Sequence, residues 1–166
     1  NCVPSYNKIL VQYDLSKSNS EVILKYISSI NENKILYQPN QKIVELPICY
    51  INEYGVDLKS ISESNKIDID EIIELHSSTN FYVYMIGFMP GFPFMGDLNT
   101  KLLTSRLSTP RVRVPERSVA IVEKFCGIYP FESPGGWNIV GRIPNNLFFK
   151  NKKKPTLLSP GSNVKF

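Results

Sequence analysis

Residues 109–144 read TPRVRVPERSVAIVEKFCGIYPFESPGGWNIVGRIP. Short apolar runs, Val119 to Val122 and Ile139 to Val140, are separated by Pro and Gly, a pattern that predicts short strands. Ser133-Pro134-Gly135-Gly136 predicts a turn whose backbone N–H groups no side chain shields. A barrel presents polar groups at its mouth in this way. An ordinary structural turn uses the same residue types, so both readings stand at this point.

The same character holds on either side of this stretch. Upstream, FYVYMIGF from Phe81 is a compact aromatic and β-branched run, and beyond it the chain is punctuated by Pro and Gly as far as Pro160-Gly161, ahead of Val164 to Phe166. No helix-length periodicity occurs there. Several short strands at close spacing predict a barrel or a closed sandwich, which removes exposed sheet edges.

Before Phe81 the pattern is mixed. Tyr6 to Tyr13 alternates as a strand with Ile9, Val11 and Tyr13 on one face. Ser18 with Glu21 forms a capping box ahead of Val22, Ile23, Tyr26, Ile27 and Ile30 at helical spacing. Lys42 to Tyr50 alternates again, with Pro47 placing it at a sheet edge or strand end. Two short helices are predicted over Asp57 to Asn65 and from Asp68, as cap, to about Ser77. The expected class is α+β, with an α/β part over residues 1–79, a mostly β part over 80–166 and a boundary near Ser77 to Phe81.

Composition bounds the function. The 166 residues are 42% hydrophobic and 20% charged, an ordinary soluble globular balance. The net charge of +4 is concentrated at Lys150-Asn151-Lys152-Lys153-Lys154, which reads as a solvated loop; without interleaved aromatic residues it makes no nucleic-acid platform. Cys2, Cys49 and Cys126 are odd in number and widely spaced, against a disulfide framework or a structural metal site. No run approaches the roughly 18 apolar residues of a membrane span and no signal peptide opens the chain, so a cytoplasmic protein is expected. The start at Asn1, without Met, fits a piece of something longer.

His76 is the single histidine and shares a helix face with Ile69, Ile72 and Ile73, pointing it at the protein body. A structural core histidine and a proton-transferring group at a domain junction both fit that placement. Gly87-Phe88-Met89-Pro90-Gly91-Phe92-Pro93-Phe94-Met95-Gly96 is expected to be an irregular, rigid loop, either plugging the core or positioning a ligand. Arg111 and Arg113 alternate onto one side of an extended segment, and Arg142 is a third guanidinium donor. With Tyr129, Ser133, Gly135, Gly136 and Trp137 they form a candidate site for a small polar ligand bearing an anionic group. A Cys126–His76 nucleophile and base pair is disfavoured, because the two lie in different segments and no third orienting group is evident. The chain has no G-x-x-x-x-G-K-[ST], G-x-G-x-x-G or G-x-S-x-G motif, hence no P-loop for ATP.

GFMPGFPFMGDL (Gly87 to Leu98), TPRVRVPERSVAI (Thr109 to Ile121), GIYPFESPGGWNIVGRIP (Gly127 to Pro144) and TLLSPGSNVKF (Thr156 to Phe166) together resemble the family of the 5-oxoprolinase B subunit, KipI and allophanate hydrolase subunit 1. VPSYNKILVQYD and VELPICY are similar to that family's N-terminal domain. The resemblance implies a truncated N-terminal α/β domain followed by a cyclophilin-like β-barrel. It implies a protein that works with two further subunits, a homologous one of C type and a third of A type, to open 5-oxoproline to glutamate with ATP hydrolysis, the ATP being used by the complex. An alternative family role is inhibition of a sporulation histidine kinase, and related domains occur in urea-processing carboxylases. On this resemblance Arg111, Arg142 and the Gly135-Gly136 N–H groups are the expected donors to developing charge, with His76 a proton shuttle. The chain departs from the family's Gly-x-Gln-Thr-Gly-Ile-Tyr-Pro at Glu123-Lys124-Phe125-Cys126, and has Arg117 and Asp97 where Gly is usual and Ile143 where Thr is usual.

Overall fold

Tyr6, at φ 53°, takes a left-handed turn conformation, so the strand expected over Tyr6 to Tyr13 starts only at Lys8 and is the second arm of a hairpin whose first arm precedes the expected range. Its arms are β1 (Cys2–Ser5) and β2 (Lys8–Val11), antiparallel with Cys2 opposite Val11. The structure, a computed structural model, describes residues 1–30 and 43–166, in two compact units divided between residues 41 and 42. In the first unit the hairpin is followed by α1 (Ser20–Ser28). Its cap is Asn19 rather than Ser18, because the Asn19 Oδ1 accepts the Val22 N–H at 3.0 Å.

The second unit contains the rest of the described chain. The expected strand over Lys42 to Tyr50 reduces to β3 (Ile43–Glu45), Lys42 lying outside the described residues. Helices α2 (Leu58–Asn65) and α3 (Ile69–Ser78) follow Asp57 and Asp68, yet neither aspartate caps its helix through its side chain. Asp57 is engaged elsewhere, and Glu71 bonds Lys101 Nζ at 2.6 Å. The boundary expected at residues 79 and 80 falls within this unit, between α3 and β4 (Phe81–Ile86).

Beyond β4 the strands are β5 (Pro93–Gly96), β6 (Arg111–Val114), β7 (Ser118–Val122), β8 (Phe125–Ile128), β9 (Ser133–Gly135), β10 (Asn138–Arg142) and β11 (Asn163–Lys165). Two segments expected to be irregular are strands: β5, inside the Gly87 to Gly96 loop, pairs with both β4 and β8, and β9, inside the Ser-Pro-Gly-Gly turn, pairs with β6. Backbone groups buried in a sheet need partners, and neighbouring strands supply them despite Pro and Gly.

Seven strands form one sheet in the order β10-β7-β8-β5-β4-β11-β3, and β6 with β9 forms a separate ribbon. β3 lies parallel to β11 at one end of the sheet, while Cys49, four residues past β3, bridges Arg142 of β10 at the other end. The result is a barrel-like, mixed α+β fold. All five residues of β7 are buried, because both of its faces are covered. Val119 and Ile121 join the core packed with Leu58, Ile61 and Ile72 of the helices, whereas Ala120 and Val122 join a second layer with Phe92, Tyr129 and Trp137.

Candidate functional site

That second layer is the floor of a cleft of about 300 Å3, lined by Phe88, Phe92, Phe94, Arg106, Tyr129 and Trp137 and by the Gly135-Gly136 backbone. The rings meet edge to face: Phe92 lies 5.1 Å from Tyr129 and 5.5 Å from Trp137 between centroids, an arrangement favoured by the ring quadrupoles. Glycine is required at two positions beneath them. A Cβ at Gly127 would press on Phe92 at 2.6 Å and on Trp137 at 2.9 Å, and one at Gly135 would collide with the Tyr129 hydroxyl. Burial holds the Tyr129 phenol above its usual pKa, so it stays protonated; the charge of Arg106 and a hydrogen bond from the Trp137 backbone act in the opposite sense.

Arg106 supplies the cleft's charge, its guanidinium 6.0 Å from the Trp137 ring centroid. Two hydrogen bonds flank it and tie its segment to the β9–β10 connection: Leu107 N–H to Gly136 O at 2.8 Å, and Asn138 Nδ2 to Ser105 O at 2.8 Å. Sequence reasoning missed Arg106, since an arginine in a loop without periodicity carries no signal of its neighbours.

Of the residues grouped from the sequence, Tyr129, Gly135, Gly136 and Trp137 come together here, and Ser133, on β9, instead bonds the Pro134 carbonyl at 3.1 Å. Arg111 and Arg142 do not line this cleft. They line another, of about 220 Å3, with Arg113, Glu53, Tyr54 and Ser118. The alternation that put Arg111 and Arg113 on one side holds, as both border this second cleft. The Nη2 of Arg111 donates to Asp57 Oδ1 at 2.6 Å, and Asp57, 5% exposed, takes the Ile139 N–H on its other oxygen at 2.7 Å. Arg142 Nε donates to the Glu116 carbonyl at 2.9 Å, and its guanidinium lies 5.8 Å from the Tyr54 ring centroid.

His76 borders neither cleft. It is fully buried, with the Phe166 ring stacked at 4.9 Å and Phe81 at 5.2 Å. Its Nδ1 meets the Tyr50 hydroxyl at 2.8 Å and its Nε2 meets the Cys126 Sγ at 3.5 Å. The third group not evident in the sequence is therefore Tyr50, and tertiary packing brings Cys126 and His76 together after all. Burial nonetheless keeps all three neutral: it pulls the imidazole pKa down to about 3 and pushes both the thiol and the phenol well above their usual ranges. A thiolate nucleophile needs the opposite environment, so this chain of contacts works as a core hydrogen-bond network. Among the described residues no cluster of His, Cys, Asp or Glu is arranged to hold a metal ion, and no helix is long and apolar enough to cross a membrane.

Two departures from the resembled pattern have a backbone reading. Arg117 has φ 65° and Glu123 has φ 47°, so two of the three positions where glycine was expected, Asp97 being the third, occupy the left-handed region that glycine enters without steric cost.

Set beside known proteins, residues 1–158 match the family described as carboxyltransferase domain, subdomain C and D. The 5-oxoprolinase B subunit of Bacillus subtilis (strain 168) is 35% identical over 179 residues, covering 99% of this chain and 73% of that protein. The 5-oxoprolinase B subunit of Haemophilus influenzae is 46% identical over 123 residues, covering 74% of this chain and 58% of that protein. Among solved structures, a conserved uncharacterized protein from Pyrococcus horikoshii superimposes on all of this chain and 76% of its own, at 38% identity and a TM-score of 0.73. The Kluyveromyces lactis urea amidolyase shares the fold, at 22% identity and a TM-score of 0.75, over 12% of its length. This chain spans part of each of these relatives.

Proposed function

The chain belongs to the 5-oxoprolinase B subunit family and carries its carboxyltransferase C and D domain, and from that premise we propose that it is the barrel-bearing subunit of an assembly that opens the lactam of 5-oxoproline to L-glutamate. The observation that carries this reading is the aromatic cleft. A flat ring bearing one carboxylate suits a pocket of about 300 Å3 whose walls are aromatic faces and whose cation is Arg106. In this proposal Trp137 and Phe92 face the lactam ring, Arg106 receives the carboxylate, and the protonated Tyr129 hydroxyl is a neutral hydrogen-bonding group at the cleft wall.

A lactam without ring strain is a poor electrophile, and phosphorylation of its oxygen by ATP is the chemistry that activates it. The nucleotide belongs, in this proposal, to the complex of the A, B and C subunits, because this sequence has no glycine-rich phosphate loop. This chain's own work is to bind and orient the substrate and to exclude water from it.

The test is glutamate formation from 5-oxoproline and ATP by the protein assembled with its partner subunits, with each component left out in turn. Glutamate that depends on this chain, with an Arg106→Ala variant showing a ten- to hundred-fold rise in KM, is the expected result. Undiminished glutamate when the chain is left out overturns the assignment.

A further inference from the structure

The cleft bordered by Arg111, Arg113 and Arg142 is left without a role by the substrate reading. Arg111 Nη2 is fixed on Asp57, but Arg111 Nη1 is buried with no hydrogen-bond partner among the described residues. A buried guanidinium N–H without an acceptor is costly, and an oxyanion in the adjoining cleft relieves that cost. Arg142 supplies the second donor: among the described residues its guanidinium hydrogen-bonds through Nε alone, to the Glu116 carbonyl, while lying by the Tyr54 ring, and no ion pair among them involves it.

We propose that this cleft is an anion site separate from the aromatic one, and that it takes the carboxylate of a small organic acid between the guanidinium groups of Arg111 and Arg142. The charges around the cleft limit the anion to a single negative charge. Arg111 is already paired with Asp57 and Arg113 with Glu132, and Glu53, which accepts a hydrogen bond from Tyr54, also borders the cleft. Among the described residues Arg142 is the one guanidinium there outside an ion pair, and once the Glu53 carboxylate is counted the bordering charges balance, so the cleft tolerates a single negative charge better than the two of a phosphate dianion. Volume agrees, since about 220 Å3 accommodates a small acid. Preorganisation is built in, because Asp57 holds Arg111 from behind while its other oxygen is tied to the Ile139 N–H at 2.7 Å. The inference stands apart from the oxoprolinase reading, as no residue named for the aromatic cleft takes part.

The experiment is an NMR titration of the full-length protein with acetate and, separately, with inorganic phosphate, following the arginine Nε–Hε signals and the backbone amides of Ser118 and Ile139. Saturable shifts with acetate are expected at Arg111 and Arg142, with affinity reduced at least tenfold in Arg142→Ala and in Arg142→Gln and unchanged in Arg106→Ala. The proposal is overturned by the absence of saturation, by equal affinity in both Arg142 variants and wild type, by loss of the shifts in Arg106→Ala, or by phosphate binding the same residues more tightly than acetate. Failure of the oxoprolinase assay leaves all of these readouts untouched, so the two readings fall separately.

Discussion

Cys49 and Arg142 exchange both of their backbone hydrogen bonds, each 2.9 Å long, and this bridge joins the segment after β3 to the strand at the far end of the seven-stranded sheet. The sheet thereby loses an exposed edge. The same contact fixes Arg142 where it borders the arginine cleft.

Replacing Cys49 by Pro removes the N–H that Arg142 O accepts and leaves that carbonyl unpaired, a loss of about 1–3 kcal/mol. Cys49→Ala keeps the backbone bond and is expected to stay close to wild type. Urea unfolding midpoints compare the two, and equal stability of the Pro and Ala variants would show that the bridge does not hold the sheet closed.

Asp57 joins Arg111 to the backbone of Ile139 through its two carboxylate oxygens while itself 5% exposed. Asp57→Ala strands a buried N–H and a partly buried guanidinium together, and about 3–5 kcal/mol of stability is expected to go with them. Asp57→Asn retains one acceptor oxygen and is expected to lose less. A loss under about 1 kcal/mol in the Ala variant, measured by chemical denaturation, contradicts this account.

His76 makes stability depend on pH with a definite sign. Burial lowers its folded pKa to about 3 from the ordinary value of 6.5, so the unfolded chain binds the proton more readily across that window. The contribution is fully present above pH 6.5 and is lost as pH falls toward 3, with a slope of up to about 1.4 kcal/mol per pH unit. His76→Gln removes the titration, and the difference between wild type and variant isolates it from the carboxylates. A flat difference curve between pH 6.5 and 3 sinks the prediction.

Glu123 is exposed and holds φ 47°, a conformation that costs a residue with a Cβ roughly 1–2 kcal/mol. Glu123→Gly relieves that strain but gives the unfolded chain more freedom, so a net gain of about 0.5–1 kcal/mol is expected. A lower melting temperature for Glu123→Gly than for wild type rules this out.

Local patterns carried much of the fold. Val119 to Val122 and Ile139 to Val140 announce β7 and β10 because buried strands need apolar side chains, and the helical spacing of Ile69, Ile72 and His76 announces α3 with a buried imidazole. Tyr129, Gly135, Gly136 and Trp137 were legible as a group because they lie close in the chain, Tyr129 just after β8, Gly135 at the end of β9 and the other two directly beyond it. Where Pro and Gly dominate, the reading failed: β5 and β9 are strands since pairing with neighbours outweighs local propensity.

By itself the sequence determined the α+β class, the run of short strands after Phe81 and the family to which the chain belongs, all of which reside in local residue patterns. Only the tertiary structure decided the distant pairings. Long-range contacts depend on where the sheet carries each segment, and no local periodicity encodes that. Asp57 meets Arg111 across 54 positions, Cys126 meets His76 across 50, and Arg106 reaches Trp137 through a loop with no pattern of its own. Those same contacts divide the expected single site into an aromatic cleft with one arginine and a separate arginine cleft, on strands whose neighbours the chain order does not specify.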